Sequence, residues 1–226
     1  MIVNIPSLLT PDEVRQAQSL LKEASWSDGR MTAGTQAALV KNNQQLAEDS
    51  PALPALRTLV LQALARSATF MAAALPLKVL PPFFNRYSGA NNAYGAHVDG
   101  AMRQAPDGSY VRSDVSATLF LSDPDGYDGG ELSIADTFGT HRIKLPAGSL
   151  VLYPSSSVHE VTPVTRGERS ACFMFIQSMV RDNAQRRLLY EMDMALLQLR
   201  ESVGETAPVV QLTGTYHNLL RQWASN

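Results

Sequence analysis

The chain has 226 residues, 45% of them apolar and 18% charged, which suits one catalytic-sized domain with a sizeable core and is short for two. Its formal charge of −2 supplies no global field to draw it to nucleic acid or anionic lipid. Cys172 is the only cysteine, so no intrachain disulfide can form, and a reducing compartment fits. Met1-Ile-Val-Asn-Ile-Pro6 lacks the basic and long apolar regions of a signal peptide. No stretch reaches the roughly 20 apolar residues of a membrane helix. A soluble, cytoplasmic protein without a membrane partner is therefore expected.

In chain order, Thr10-Pro-Asp-Glu13 starts a helix: Thr10 caps, Pro11 suits the first turn and Glu13 completes a capping box. Val14, Ala17, Leu20 and Leu21 form its apolar stripe, and the helix spans 10–24. Residues 30–47 carry no firm signal. Ser50-Pro51 opens a second helix, with Leu53, Leu56, Val60 and Leu64 at helical spacing, running to Ala74.

The character then changes. Short β-rich runs at 79–87, 115–122, 131–134, 141–145, 149–153, 160–164 and 171–180 alternate with Gly, Pro and Asp punctuation, the pattern of an all-β sandwich or barrel. Asp123-Pro-Asp-Gly126 and Asp128-Gly-Gly130 are turn signals; their spacing does not match a calcium-binding EF-hand loop. Cys172 lies in the apolar run Ala171–Ile176 and reads as a small buried hydrophobe. At Arg181-Asp182 helical period returns, with Asp182 and Gln185 as a capping pair and Leu188, Met192, Leu196 and Leu199 as a stripe. Gly204–Pro208 breaks it, and Thr213–Trp223 forms a last short helix. The expected organisation is a domain over 1–180, comprising helices 10–24 and 50–74 and a β core over 79–180, followed by a helical segment over 181–226.

Of four histidines, His141 and His217 read as structural. His97 and Asp99 are two residues apart, and in a strand such positions share a face about 6–7 Å apart. An imidazole and a carboxylate so placed need one more histidine to complete the two-His-one-carboxylate triad of non-haem Fe(II) oxygenases. His159, after the turn Tyr153-Pro-Ser-Ser-Ser-Val, is the candidate. Arg169, ten residues on, begins a strand of apolar alternation, where a cation is costly to bury unless paired. Its guanidinium fork suits a small carboxylate.

His97-x-Asp99, His159 and Arg169 together resemble the Fe(II)/2-oxoglutarate dioxygenases. Ser116-Ala-Thr-Leu-Phe-Leu-Ser-Asp-Pro124 and Tyr127-Asp-Gly-Gly-Glu-Leu132 narrow the resemblance to the prolyl-4-hydroxylase-like branch. Leu150-Val-Leu-Tyr-Pro-Ser-Ser-Ser-Val-His-Glu-Val-Thr-Pro-Val164 and Ile176-Gln-Ser-Met-Val-Arg-Asp182 resemble the bacterial PKHD-type hydroxylases, some of which are iron-uptake-associated factors. One departure is Phe175, where tryptophan is expected.

The resemblance implies a double-stranded β-helix, or jelly roll, with flanking helices. It implies Fe(II) on His97, Asp99 and His159, with 2-oxoglutarate and O2 taking the remaining positions. Arg169 would grip the distal carboxylate of 2-oxoglutarate, with Tyr87 donating a hydrogen bond to it, and L-ascorbate would serve as reductant. The expected reaction is hydroxylation of a peptide side chain or a small molecule, with a link to iron uptake. Two alternatives compete: a nucleic-acid demethylase of the same superfamily, against which the mild acidity counts, and a cupin-like iron-binding or iron-sensing module, which has no use for Arg169. Residues 100–112, with Met102, Arg103, Tyr110 and Arg112, are expected to form a substrate-selecting loop over the iron. The C-terminal stripe is expected to pack on the β core or to form a homodimer.

Overall fold

The computed structural model describes residues 1–32 and 34–225. Strand β1 (Val3–Ile5) leads into helix α1 (Pro11–Lys22), strand β2 (Trp26–Asp28), a 3-10 turn (Gly29–Thr32), helix α2 (Thr35–Val40) and strands β3 (Lys41–Asn42) and β4 (Gln44–Leu46). Helices α3 (Leu53–Arg66) and α4 (Ala68–Ala74) precede β5 (Pro76–Val79), β6 (Phe83–Tyr87), β7 (Ala93–His97), β8 (Met102–Gln104) and β9 (Tyr110–Arg112). Next come β10 (Val115–Phe120), β11 (Tyr127–Gly129), β12 (Leu132–Asp136), β13 (Gly139–Ile143) and β14 (Leu150–Pro154). Strands β15 (His159–Val161), β16 (Val164–Gly167) and β17 (Arg169–Ser178) lead to helices α5 (Asn183–Val203) and α6 (Ala207–Trp223).

Two antiparallel sheets face each other. The larger runs β1-β14-β10-β17-β6-β4-β2, with β5 also on β17; the smaller runs β13-β12-β15-β7-β3. This is a double-stranded β-helix with helices outside, as expected. The period-2 alternation of the central strands β10, β14 and β17 explains its layering. Val115, Ala117, Leu119, Leu152, Cys172, Met174 and Ile176 join α1, α3 and α4 in one core. The alternate residues, such as Phe120, Val151 and Tyr153, face the space between the sheets. Burial pushes the Cys172 thiol well up, which keeps it protonated and inert.

The capping box of α1 forms as expected: Thr10 N donates to Glu13 Oε2 at 2.8 Å and Glu13 N to Thr10 Oγ1 at 3.3 Å. The expected helix 50–74 is instead two. Ser67 leaves the helical region at φ −87, ψ 103, and its hydroxyl accepts from Phe70 N at 3.2 Å, so it closes α3 and caps α4. The strand expected over 79–87 is split because Pro81 and Pro82 cannot donate to a ladder. The last helix starts earlier than expected, at Ala207, because Pro208 occupies its first turn, where a missing N–H costs nothing.

The face of α5 is also rotated from the expected stripe. Leu189 and Leu196 are buried against Leu75, Val180 and Tyr216, with Met192 alongside, whereas Leu188 is 56% exposed. Arg186 is buried in the same seam and donates to the Val180 and Arg181 carbonyls at 2.7 and 2.8 Å. The α5–α6 hairpin thus packs on α4 and the end of β17 within the chain. Among the described residues no helix is long and apolar enough to cross a membrane.

Candidate active site

Strands β7 and β15 pair antiparallel with His97 opposite His159, which brings their rings to 4.3 Å between centroids. Asp99 lies just beyond the end of β7 rather than within it, so its approach to His97 comes from a loop and not from strand alternation. The convergence still occurs: one ligand atom from each of His97, Asp99 and His159 lies within 4.8 Å of the others. His97 Nδ1 is 2.8 Å from the Gly95 carbonyl, and His159 Nδ1 is 3.0 Å from that of Ser157. Each carbonyl can only accept, so each Nδ1 carries the hydrogen and each Nε2 presents a lone pair. Burial, then the neighbouring His159, pulls His97 down to about 4, which keeps its ring neutral and fit to ligate.

The carboxylate is oriented from elsewhere. Ser116 Oγ donates to Asp99 Oδ2 at 2.6 Å and lies 2.7 Å from Ser155 Oγ, so Ser155 donates to Ser116 and Ser116 to Asp99. Arg103 Nη2 reaches Asp99 Oδ1 at 3.4 Å.

A β-bulge in β7 sets the ring packing. Val161 pairs with Tyr94 two residues from the His159–His97 pair, so β7 spends three residues where β15 spends two. Tyr94 thereby shares a face with His97 and stacks on it at 3.6 Å, and the Tyr153 ring meets His159 edge-on at 5.0 Å. Burial raises both phenols, so both stay protonated.

Arg169 opens β17 opposite Tyr87 of β6 and is 1% exposed. Its guanidinium carbon sits 5.2 Å from the Tyr87 ring and 5.1 Å from that of Phe120. Its Nε and Nη2 have no hydrogen-bond partner among the described residues. Such a buried cation is costly unless a partner arrives. The Tyr87 hydroxyl accepts from Asn85 Nδ2 at 3.3 Å, and burial keeps the phenol protonated, so its own hydrogen is left to give. Both residues line the same cavity as His97, Asp99 and His159, of about 400 Å³, the size of a small-molecule site. Neutral imidazoles plus one carboxylate fit a divalent iron, and the unpartnered guanidinium fits a carboxylate.

Residues 100–112 fold as the β8–β9 hairpin. Met102 and Arg103 line the cavity, whereas Tyr110 is 66% exposed and Arg112 pairs with Asp114 at 2.6 Å. His141 is half-exposed on β13 and lies 3.6 Å from Asp136 across the hairpin, a carboxylate that sequence distance concealed. The sequence reading missed Ser116, Tyr94, Tyr153 and Lys41. Nothing in the sequence singles out Ser116, since Val115–Phe120 carries a second hydroxyl at Thr118.

An antiparallel double-stranded β-helix with two histidines and a carboxylate at one end of its cavity is the architecture of the 2-oxoglutarate-Fe(II) oxygenases. The profile of the 2OG-Fe(II) oxygenase superfamily matches residues 82–177, and that of the PKHD-type hydroxylase C-terminal domain matches residues 183–225. A PKHD-type hydroxylase of Nitrosomonas eutropha is 69% identical over the whole of both chains, and one of Azoarcus sp. is 65% identical over 99% of each. The chain belongs to the PKHD-type hydroxylase family: it is an Fe(II)- and 2-oxoglutarate-dependent oxygenase that uses O2.

Solved structures agree on the fold. A Pseudomonas putida prolyl-4-hydroxylase superposes with a TM-score of 0.53 at 23% identity, covering 78% of this chain and 92% of that one. A Trichoplax adhaerens prolyl hydroxylase, in complex with a hypoxia inducible factor oxygen degradation domain peptide fragment, gives 0.54 at 16%, covering 83% and 86%. HygX from Streptomyces hygroscopicus, with nickel and 2-oxoglutarate bound, gives 0.54 at 13%, covering 78% and 82%.

Proposed function

We propose that His97, Asp99 and His159 hold the iron, that Arg169 with Tyr87 holds the distal carboxylate of 2-oxoglutarate, and that the product is a hydroxylated peptide side chain or small molecule. The observation that carries this is the shared cavity: a triad of ligand atoms within 4.8 Å and a buried guanidinium with two unpartnered donors face the same space. When bound, iron and 2-oxoglutarate supply the oxidant, with succinate and CO2 as co-products and one oxygen atom of O2 left for the substrate. The protein orients and shields. Gly95 and Ser157 fix the two imidazole tautomers, Ser116 fixes the carboxylate, and Tyr94 and Tyr153 keep water off the rings.

The peptide held by the Trichoplax neighbour supports a peptide as one substrate class, and family likeness supports a small molecule linked to iron uptake as the other. A pure iron sensor would leave Arg169 buried without a partner. Residues 1–180 are the catalytic domain in this reading and 181–226 its helical appendage, with ascorbate restoring oxidised iron and the cytoplasm as the place of work. Leu188, Leu197, Val203 and Val210 stay exposed on the α5–α6 hairpin, which supports a homodimer.

Succinate formation from 2-oxoglutarate tests the site. His159→Ala should abolish iron-dependent turnover. Arg169→Ala should leave the metal bound and raise the 2-oxoglutarate requirement more than tenfold, since losing a buried charged partner costs about 2–5 kcal/mol. An unchanged affinity for 2-oxoglutarate would put the clamp elsewhere.

A further inference from the structure

We infer that the Tyr153 hydroxyl donates a hydrogen bond to the metal-proximal carboxylate of 2-oxoglutarate, the end opposite the one held by Arg169 and Tyr87. This rests on the iron and 2-oxoglutarate reading above and gives Tyr153, the cover of His159, a role toward the cosubstrate.

2-Oxoglutarate is a dicarboxylate, and Arg169 answers one end of it. The other carboxylate, beside the keto group, belongs at the triad and therefore next to Asp99. Like charges so placed need donors around them, and an acceptor oxygen shut away from water is costly without one. Most donors at that end are already engaged. Ser116 gives its hydrogen to Asp99 at 2.6 Å, and Arg103 is ion-paired with Asp99 and stacked on Phe175. Both histidines spend Nδ1 on backbone carbonyls. Tyr94 comes from the strand of His97 itself and lies flat on that ring, at 3.6 Å and 15°, so it flanks a ligand residue from the triad's own sheet.

Tyr153 approaches from the opposite sheet. On β14 it pairs with Ser116 of β10, whose hydroxyl holds Asp99, so the register sets this phenol beside the carboxylate corner. It faces the space between the sheets, lines the cavity and is 4% exposed. Its ring meets His159 edge-on at 5.0 Å, and the charges of Asp99 and Arg169 both reach it. It therefore lies along the way from the triad to the clamp. Thr118, which also lines the cavity, is the hydrogen-bonding neighbour of the Tyr153 oxygen. That interaction favours the oxygen as acceptor, and the phenol keeps its own hydrogen to give. An ordinary phenol is neutral at pH 7, so it can serve a carboxylate without adding charge beside the metal. The far end has the same arrangement: the Tyr87 hydroxyl accepts from Asn85 and keeps its hydrogen. Each carboxylate of the cosubstrate thus meets one phenol from the larger sheet.

The test uses the full chain loaded with Mn(II) in place of iron, so that nothing turns over, and reads affinities by calorimetry. The probes are 2-oxoglutarate and 4-oxopentanoate, which keeps the keto group and the distal carboxylate but has a methyl group for the proximal one. Tyr153→Phe, which keeps the ring on His159, should weaken 2-oxoglutarate by about tenfold or more, the loss expected for a hydrogen bond to a charged group. The same variant should change 4-oxopentanoate binding, and Mn(II) binding without cosubstrate, by less than about threefold. Tyr94→Phe should leave the 2-oxoglutarate affinity within about threefold of wild type. A Tyr153→Phe protein that binds 2-oxoglutarate as wild type does would overturn the inference. Equal losses for the two probes, or a matching loss of Mn(II), would also overturn it, since either marks a packing role through His159. So would a loss in Tyr94→Phe as large as that in Tyr153→Phe. Failure of the wild-type protein to bind 2-oxoglutarate at all would instead remove the reading beneath it.

Discussion

Ser116→Ala isolates what the carboxylate ligand owes to its neighbours. The hydroxyl donates to Asp99 Oδ2 at 2.6 Å from a residue that is 2% exposed, so water does not easily replace it. Hydrogen bonds to charged groups contribute about 1.5–3 kcal/mol, and removing such outer partners of a metal ligand costs about 10–100-fold in affinity. Arg103, 3.4 Å from the other carboxylate oxygen, then becomes the nearest donor and competes with the metal for Asp99. The metal dissociation constant should therefore rise roughly 10–100-fold, read by titrating the metal-free protein with Co(II) and following its visible absorbance. Ser155→Ala removes only the donor behind Ser116, and its effect should stay under about threefold. A Ser116→Ala constant within twofold of wild type, or an equal loss in Ser155→Ala, would refute the argument that the direct Ser116 bond is what holds Asp99.

Gly130→Ala should destabilise the fold by about 1–3 kcal/mol and weaken 2-oxoglutarate binding; at φ +66 its new methyl would lie 2.8 Å from Val164 Cγ2 and 3.0 Å from Arg169 Cδ, and an unchanged melting temperature with unchanged affinity would count against this. Lys41→Met should stabilise the metal-free protein at pH 7 by up to about 3 kcal/mol. Its folded-state value near 8 lies below the ordinary 10.5, so the penalty is full below pH 8 and fades as pH rises to 10.5; denaturant unfolding that shows the same difference at pH 7 and pH 10 would refute the burial argument. Truncation after Asp182 strips the cover from Leu75 and Val180 and should yield aggregation or a lower melting temperature; a soluble fragment with unchanged melting and turnover would give the hairpin another role.

Much of this molecule was legible where one residue type has one common use. Thr10, Pro11 and Glu13 write a helix start, and alternation in Leu150–Tyr153 and Ala171–Ile176 writes strands whose two faces do different work. The triad and Arg169 were legible because histidine, carboxylate and guanidinium at those spacings are rarely placed together for packing. Ser116 and Lys41 were not, since serine and lysine are ordinary anywhere and only pairing of distant strands brings them to the cavity. Tyr94 was hidden for another reason. Counting by twos from His97 points it the wrong way, and a bulge leaves no mark in a pattern of polar and apolar letters. The burial of Leu189 in place of Leu188 on α5 was illegible for the same kind of reason: the two side chains are chemically identical, and only the seam with Tyr216 chooses between them.

The three corners of the proposed metal site are not equally self-sufficient. Each histidine takes its orienting carbonyl from two residues upstream, so Gly95-Ala-His97 and Ser157-Val-His159 each carry their own lock. Asp99 carries none. Its holder, Ser116, is on another strand, and its second contact, Arg103, is on a hairpin. Local loosening of the β8–β9 hairpin or of the end of β10 would thus free the carboxylate while both imidazoles stayed aimed. A metal held by the three side chains would then keep only the two imidazoles, which would weaken its hold. If the proposed triad holds the metal, exchange would be governed at its carboxylate corner, and attempts to make the site hold another metal should begin at Ser116 rather than at the histidines.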